Sequence, residues 1–254
     1  MPIESCQRCV GNRACDDQVV MECLPVPYFG DITNKLLKVV TIGLNPALDE
    51  YYEYDGEPKN RSQRLALLAD FNTTAREKLR DADLTDAKAR RDGYFRDPKR
   101  DWHTYFQRME SVIYRVNPEW SYFLGSAVHV DLVACGTKVR WSRLRKEVQA
   151  TLIGNCREHF LTSLAMLPGG TVLLCDGPRA MQEIQNLGLG VETQPMQLIN
   201  LRDNDRGDHG WIGNLIFKDK QFPIRGWSSY VSQLSVVWRM DLVSWLRETF
   251  QKPG

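Results

Sequence analysis

Three groups of residues in this chain have types and spacings that could do chemistry. The first is Gly43-Leu44-Asn45-Pro46, which ends the apolar run Leu37-Lys38-Val39-Val40-Thr41-Ile42. Such a β-branched run predicts a buried parallel strand, and open α/β sheets bind ligands outside the carboxyl ends of their strands. Gly43 would let a ligand approach the backbone, and Pro46 would stiffen the turn that holds the Asn45 amide. The plain alternative is an ordinary strand-to-helix turn closed by Asn-Pro. The second group centres on Asp131, an acid inside the apolar run from Ala127 to Cys135. Asp is depleted in strands and rarely buried without a partner. Asp131 therefore either serves a ligand, pairs with an arginine, or caps the next loop. His129 shares its strand face, where it either lines a pocket or packs as a core histidine.

The third group is thiols. Of seven cysteines, Cys6 and Cys9 form a C-x2-C pair, and Cys15 and Cys23 follow closely. Soft thiolates in a tetrahedral array suit zinc, so Cys6, Cys9, Cys15 and Cys23 are one candidate ligand set, although their spacing is not a common zinc-finger pattern. A chain without metal is a further reading. Cys175, at the end of an apolar run, reads as a core thiol. The oxygen-rich stretch from Asp203 to His209 misses the spacing of a calcium loop.

These groups need elements to position them. Apolar patterning predicts strands over about 37–43, 127–134 and 171–175, with shorter ones around 192–200, 211–217 and 221–225. Helices are expected over about 74–91, 101–116, 147–166, 179–186 and 234–250. Residues 1–36 form a Cys-rich irregular segment, and about 48–125 a largely helical insertion. Alternating strands and helices imply one α/β domain over 1–254, three layers deep (α/β/α), with a mainly parallel sheet. The net charge of +1 excludes bulk attraction to nucleic acid, so any DNA contact must come from local patches such as Lys138–Lys146. No run approaches the ~20 apolar residues of a membrane span. The N-terminus lacks the basic head and apolar core of a signal peptide, and free thiols favour a reducing compartment. The expectation is a cytoplasmic protein.

Gly43–Pro46, the Asp131 run, and the loop Gly226-Trp227-Ser228-Ser229-Tyr230-Val231-Ser232 together resemble the uracil-DNA glycosylase superfamily, from about Leu37 to Leu246. That family carries Gly-x-(Asp/Glu/Asn)-Pro after its first strand and a Ser-containing loop, often His-Pro-Ser-x-x-Ser, near its end. The resemblance implies a central, mainly parallel four-stranded sheet. It also implies a monomeric, monofunctional DNA glycosylase that flips a base and hydrolyses its N-glycosidic bond, leaving an abasic site. Asn45 matches the position that orients water. Gly43, Leu44 and Pro46 would border the base, with Tyr51 or Tyr52 as the stacking platform and His129 beside it.

Asp131 aligns with an Asn that reads uracil. An ionised Asp only accepts hydrogen bonds, which repels O4 of uracil and suits the amino group of cytosine. The target implied is a modified cytosine, such as the hydroxymethylated or glucosylated base of some phage genomes, excised in antiviral defence. Uracil or deaminated-base excision in repair, and a catalytically weak DNA-binding protein, are the alternatives; a small-molecule α/β enzyme is the reading outside the family. Ser228, Ser229 and Arg225 would grip phosphate, Trp227 or Tyr230 would wedge the duplex, and Arg140 and Arg143 would contact the backbone. The histidine of the last motif is missing. The family's iron–sulfur branch has a C-x2-C pair, a Cys after its second strand and another in the next helix. It implies a 4Fe-4S cluster on Cys6, Cys9, Cys135 and Cys156, and its Arg shortly after the second Cys corresponds to Arg13.

Overall fold

Val39, Val40, Thr41 and Ile42 are all buried, so the first long strand is covered on both faces, as an apolar run without alternation requires. The computed structural model describes residues 6–12, 15, 17–61, 64–96, 104–199 and 208–251. Arg13, Trp102, His103 and the stretch 203–207 lie outside them. The elements are β1 (Tyr28–Phe29), β2 (Val39–Gly43), α1 (Asp81–Asp92), α2 (Thr104–Val116), β3 (Ala127–Asp131) and α3 (Lys146–Met166). There follow β4 (Val172–Asp176), α4 (Pro178–Asn186), β5 (Gly190–Ile199), β6 (Asp208–Phe217), β7 (Lys220–Trp227) and α5 (Val236–Gln251).

The protein is α/β with a mixed sheet ordered β1-β3-β2-β4-β7-β6-β5. β4 runs parallel to both β2 and β7, whereas β5, β6 and β7 form an antiparallel meander. The sheet is thus wider than four strands. β5 and β6 are ten residues each, longer than the short strands that the patterning suggests. β3 stops at Asp131 rather than running on to residue 134. Its continuation bonds elsewhere: Val133 N–H donates to the Leu44 carbonyl at 2.8 Å, and the Ala134 carbonyl accepts from Val26 at 2.7 Å.

Contacts divide the chain into two compact units, each assembled from three stretches. The first comprises Met1–Ile32, Leu44–Asp101 and Val130–Leu164; the second comprises Thr33–Gly43, Trp102–His129 and Ala165–Gly254. In the first unit, α3 buries Val148, Leu152, Cys156, Phe160 and Leu164, one residue per turn. In the second, α2 buries Phe106, Met109, Val112 and Ile113 and packs against α5, which buries Leu242, Val243, Trp245 and Leu246. Among the described residues no helix is long and apolar enough to cross a membrane.

Candidate functional site

The turn after β2 is fixed by its own polar groups. Asn45 Nδ2 donates to the Pro46 carbonyl at 2.9 Å and to Thr137 Oγ1 at 3.1 Å. Thr137 Oγ1 in turn donates to the Val139 carbonyl at 2.7 Å, so towards Asn45 it can only accept. Both amide hydrogens are thereby committed, which sets the orientation of the side chain and leaves Oδ1 as its working atom. Gly43, Leu44 and Asn45 are half-buried, while Pro46 is buried. The bond from Val133 to the Leu44 carbonyl ties this turn to the segment that leaves Asp131. Asp131 itself is 3% exposed, with its N–H bonded to the Pro27 carbonyl at 3.0 Å.

The basic loop starts one residue after Thr137. Lys138, Arg140, Arg143 and Lys146 are exposed, and Arg145 pairs with Asp17 at 3.1 Å. Trp141, though it interrupts this run, is not a surface platform: it packs into a buried cluster with Val148, Leu152 and four cysteines and so anchors the loop. Tyr51 cannot stack on a base as expected. It is fully buried, its hydroxyl donates to the Leu24 carbonyl at 3.0 Å, and its ring lies 3.4 Å from where a Cβ on Gly136 would stand. Tyr52 is half-buried, which leaves it the more accessible ring.

The thiols gather differently from either expected set. Cys9, Cys15, Cys135 and Cys156 share the buried cluster under Trp141. Cys15 neighbours Cys9, Cys9 neighbours Cys135, and Cys135 neighbours Cys156. Its bond to Cys156, together with burial, pushes the Cys135 thiol up to about 12; the bond to Cys135 and then burial push Cys9 up as well. Asn155 Nδ2 adds a contact to Cys9 Sγ at 3.5 Å. Cys6 lies outside this cluster and is tied instead through its carbonyl, which accepts from Arg76 at 2.8 Å. Cys23 is likewise held by its carbonyl, bonded to Arg76 at 2.7 Å. As donors, the four clustered thiols fit a soft metal in type, number and burial. In arrangement they form a succession, and among the described residues no group of three or more metal-binding side chains converges on one point.

In the second unit the residues expected to grip DNA are mostly spent on the fold. Arg225 is 9% exposed; its guanidinium donates to Thr249 Oγ1, the Thr249 carbonyl and the Gly213 and Ile224 carbonyls, and covers the Phe250 ring. Burial lowers its pKa, and four of its five N–H donors are spent inside the fold. Trp227 is fully buried, with Nε1 donating to Asp176 Oδ1 at 2.9 Å, so it cannot be a wedge. Ser229 is buried, whereas Ser228 and Tyr230 are half-buried. His129 is a packed core histidine: Nδ1 meets Thr41 Oγ1 at 2.8 Å, and the rings of Tyr105 and Phe106 lie at 5.3 and 5.2 Å.

Sequence patterning passed over Asp176. It ends β4 as Asp131 ends β3, an acid closing an apolar strand, and it is 3% exposed. Burial raises its carboxyl to about 7, against the lowering effects of the Val231 N–H, the Trp227 indole and His129. Comparison of the chain with protein-family models, curated proteins and solved structures finds no match.

Proposed function

We propose that the chain is a monofunctional DNA glycosylase that hydrolyses the N-glycosidic bond of a flipped base, with a modified cytosine as the target. The observation that carries this is the oriented amide of Asn45. Both of its hydrogens are held by Pro46 and Thr137, and the exposed cations Lys138, Arg140 and Arg143 follow directly in the chain. A fixed acceptor at the carboxyl end of a central strand can orient a water without abstracting its proton. Cations on the adjoining loop supply the phosphate contacts that hold any DNA-binding protein in register. The strand order gives further support, because the chain leaves the neighbouring strands β2 and β4 in opposite directions, β2 towards β3 and β4 towards β5, the arrangement that makes α/β sheets bind at strand ends. Asp131 is the proposed reader of the base, as an acceptor for the cytosine amino group.

The test is base release from matched oligonucleotides containing uracil, hypoxanthine, cytosine, 5-methylcytosine, 5-hydroxymethylcytosine and its glucosylated form. Release from a cytosine derivative, lost in Asn45→Ala, is the expected result. Asp131→Asn should move activity towards uracil; an unchanged preference would remove Asp131 as the reader. Release of uracil by the parent protein would keep the enzyme and replace its substrate.

A metal centre is part of the proposal with the ligand sets that the sequence implies: a 4Fe-4S cluster on Cys6, Cys9, Cys135 and Cys156, or zinc on Cys6, Cys9, Cys15 and Cys23. That Cys9, Cys135 and Cys156 share one buried cluster supports the iron–sulfur set.

A further inference from the structure

Asp176 holds both ends of the last loop with one oxygen. Its Oδ1 accepts from Trp227 Nε1 at 2.9 Å and from the Val231 backbone N–H at 2.9 Å. Between those two donors the chain makes Ser228, Ser229 and Tyr230. Three further contacts limit what that loop can do. Gly177, at φ +87°, has no Cβ, and one placed there would lie 2.3 Å from the Tyr230 ring, so the ring closes over the backbone that follows Asp176. Arg108 donates to the Ser232 carbonyl just beyond the loop. Trp227 and Val231 are both fully buried, so the loop is drawn in at each end while Ser228 and Tyr230 stay half-buried at its tip.

A buried carboxylate is costly unless its hydrogen bonds are made, and an apolar side chain could have filled the end of β4 without that cost. What the acid does here is to join two donors, four residues apart, on one atom. We propose that Asp176 is a positioning residue that sets the conformation of the Ser228–Tyr230 loop for binding the DNA backbone. The binding half of this rests on the glycosylase reading; the positioning half does not. Where the sequence pattern gave Arg225 and Trp227 to the DNA directly, the structure gives their loop a brace and places Ser228 and Tyr230, both half-buried, at its tip.

The groups that bear on its titration are His129 from β3, Cys175 on β4 itself, and Tyr230 from the loop, with Arg179 at the start of α4 acting on Tyr230. Of these, the burial of Asp176 is the largest influence.

The experiment follows the Trp227 indole and Val231 amide protons by NMR from pH 5 to 9, with their hydrogen exchange, in the full chain, in Asp176→Asn and in Asp176→Leu. Affinity for a fluorescein-labelled duplex is measured on the same samples. Both protons should titrate together in the wild type and stop titrating in Asp176→Asn, which keeps the acceptor oxygen and exchange protection. In Asp176→Leu both should exchange at least about tenfold faster, and affinity should fall by a similar factor. Titration that persists in Asp176→Asn, or protection unchanged in Asp176→Leu, overturns the brace. Should Asp176→Leu fail to fold, the Asp176→Asn titration alone decides. Loss of protection with unchanged DNA affinity overturns the role in binding and keeps the brace. A wild type that does not bind DNA overturns the glycosylase reading, which the two proton signals do not depend on.

Discussion

The Asn45 turn and the Asp176 loop solve the same problem with opposite results. Each puts a polar side chain at the end of an apolar strand and satisfies it locally. Asn45 spends its two donors on Pro46 and Thr137 and keeps an acceptor in a half-buried position. Asp176 spends one oxygen on two donors inside a fully buried setting, and the loop it holds is the part left near the surface. The lesson is that a strand-end polar residue can be a working group or a brace, and its exposure once its local bonds are made tells them apart.

The largest effect that would sharpen this comparison is on turnover. Asn45→Ala should lower base release by about 100-fold or more, the usual loss when one oriented polar group is removed from a transition state. DNA affinity should stay near that of the wild type, since the proposed backbone contacts lie elsewhere. Abasic sites scored by alkali cleavage under single-turnover conditions give the rate. If activity survives, the turn is ordinary structure and the comparison collapses onto Asp176.

The next effect concerns what fills the space under the basic loop. Cys6→Ser should abolish metal uptake and lower the melting temperature by many degrees, because the binding energy of a structural metal centre is folding energy. Cys15→Ser should change neither. Elemental analysis for zinc and iron on both variants decides it. Zinc without visible absorption, lost in both variants alike, would replace the cluster by the local zinc set.

Much of this was legible in the chain because it depends on local pattern. The runs at 39–43, 127–131 and 172–176 declare buried strands, and α3 declares its face through residues 148, 152, 156, 160 and 164. Other features depend on partners far away in sequence. Whether Arg225 faces solvent was settled by Thr249 and Gly213, and whether Trp227 could reach a duplex was settled by Asp176. Cys15 joins Cys135 and Cys156 through folding of an irregular segment that has no periodicity to read. Asp176 carries the same signature as Asp131, an acid ending an apolar strand; only the turn that follows, Gly177-Pro178, made it look like punctuation.

A smaller effect tests the brace through stability. Burial raises the Asp176 carboxyl from 3.8 to about 7, so the folded state holds this proton more tightly than the unfolded chain. Its stabilising contribution is full below 3.8 and is lost as pH rises to about 7, above which the carboxylate is ionised in both states. Urea midpoints taken at half-unit steps should therefore fall across that window in the wild type. In Asp176→Asn this component should vanish, and the difference between the two curves should be flat above pH 7. Parallel curves throughout would mean that the carboxyl has the same pKa folded and unfolded, and the loop would then be braced by an ionised carboxylate at neutral pH.

The smallest effect separates exposed cations from buried ones. Arg140 and Arg143 are exposed on the loop that begins beside Thr137, whereas Arg225 is enclosed by Thr249, Gly213 and Phe250. Each phosphate contact contributes about −0.9 to the slope of log K against log salt on duplex DNA. Arg140→Ala with Arg143→Ala should therefore reduce the slope by about 2 and weaken binding on every sequence alike. Base preference should not move, because phosphate contacts carry no sequence information. An unchanged slope would take the electrostatic support from the Asn45 side of the molecule. DNA binding would then have to rest on the Ser228–Tyr230 tip alone, where hydroxyl donors add little salt dependence, and the braced loop rather than the open turn would be the protein's contact with its substrate.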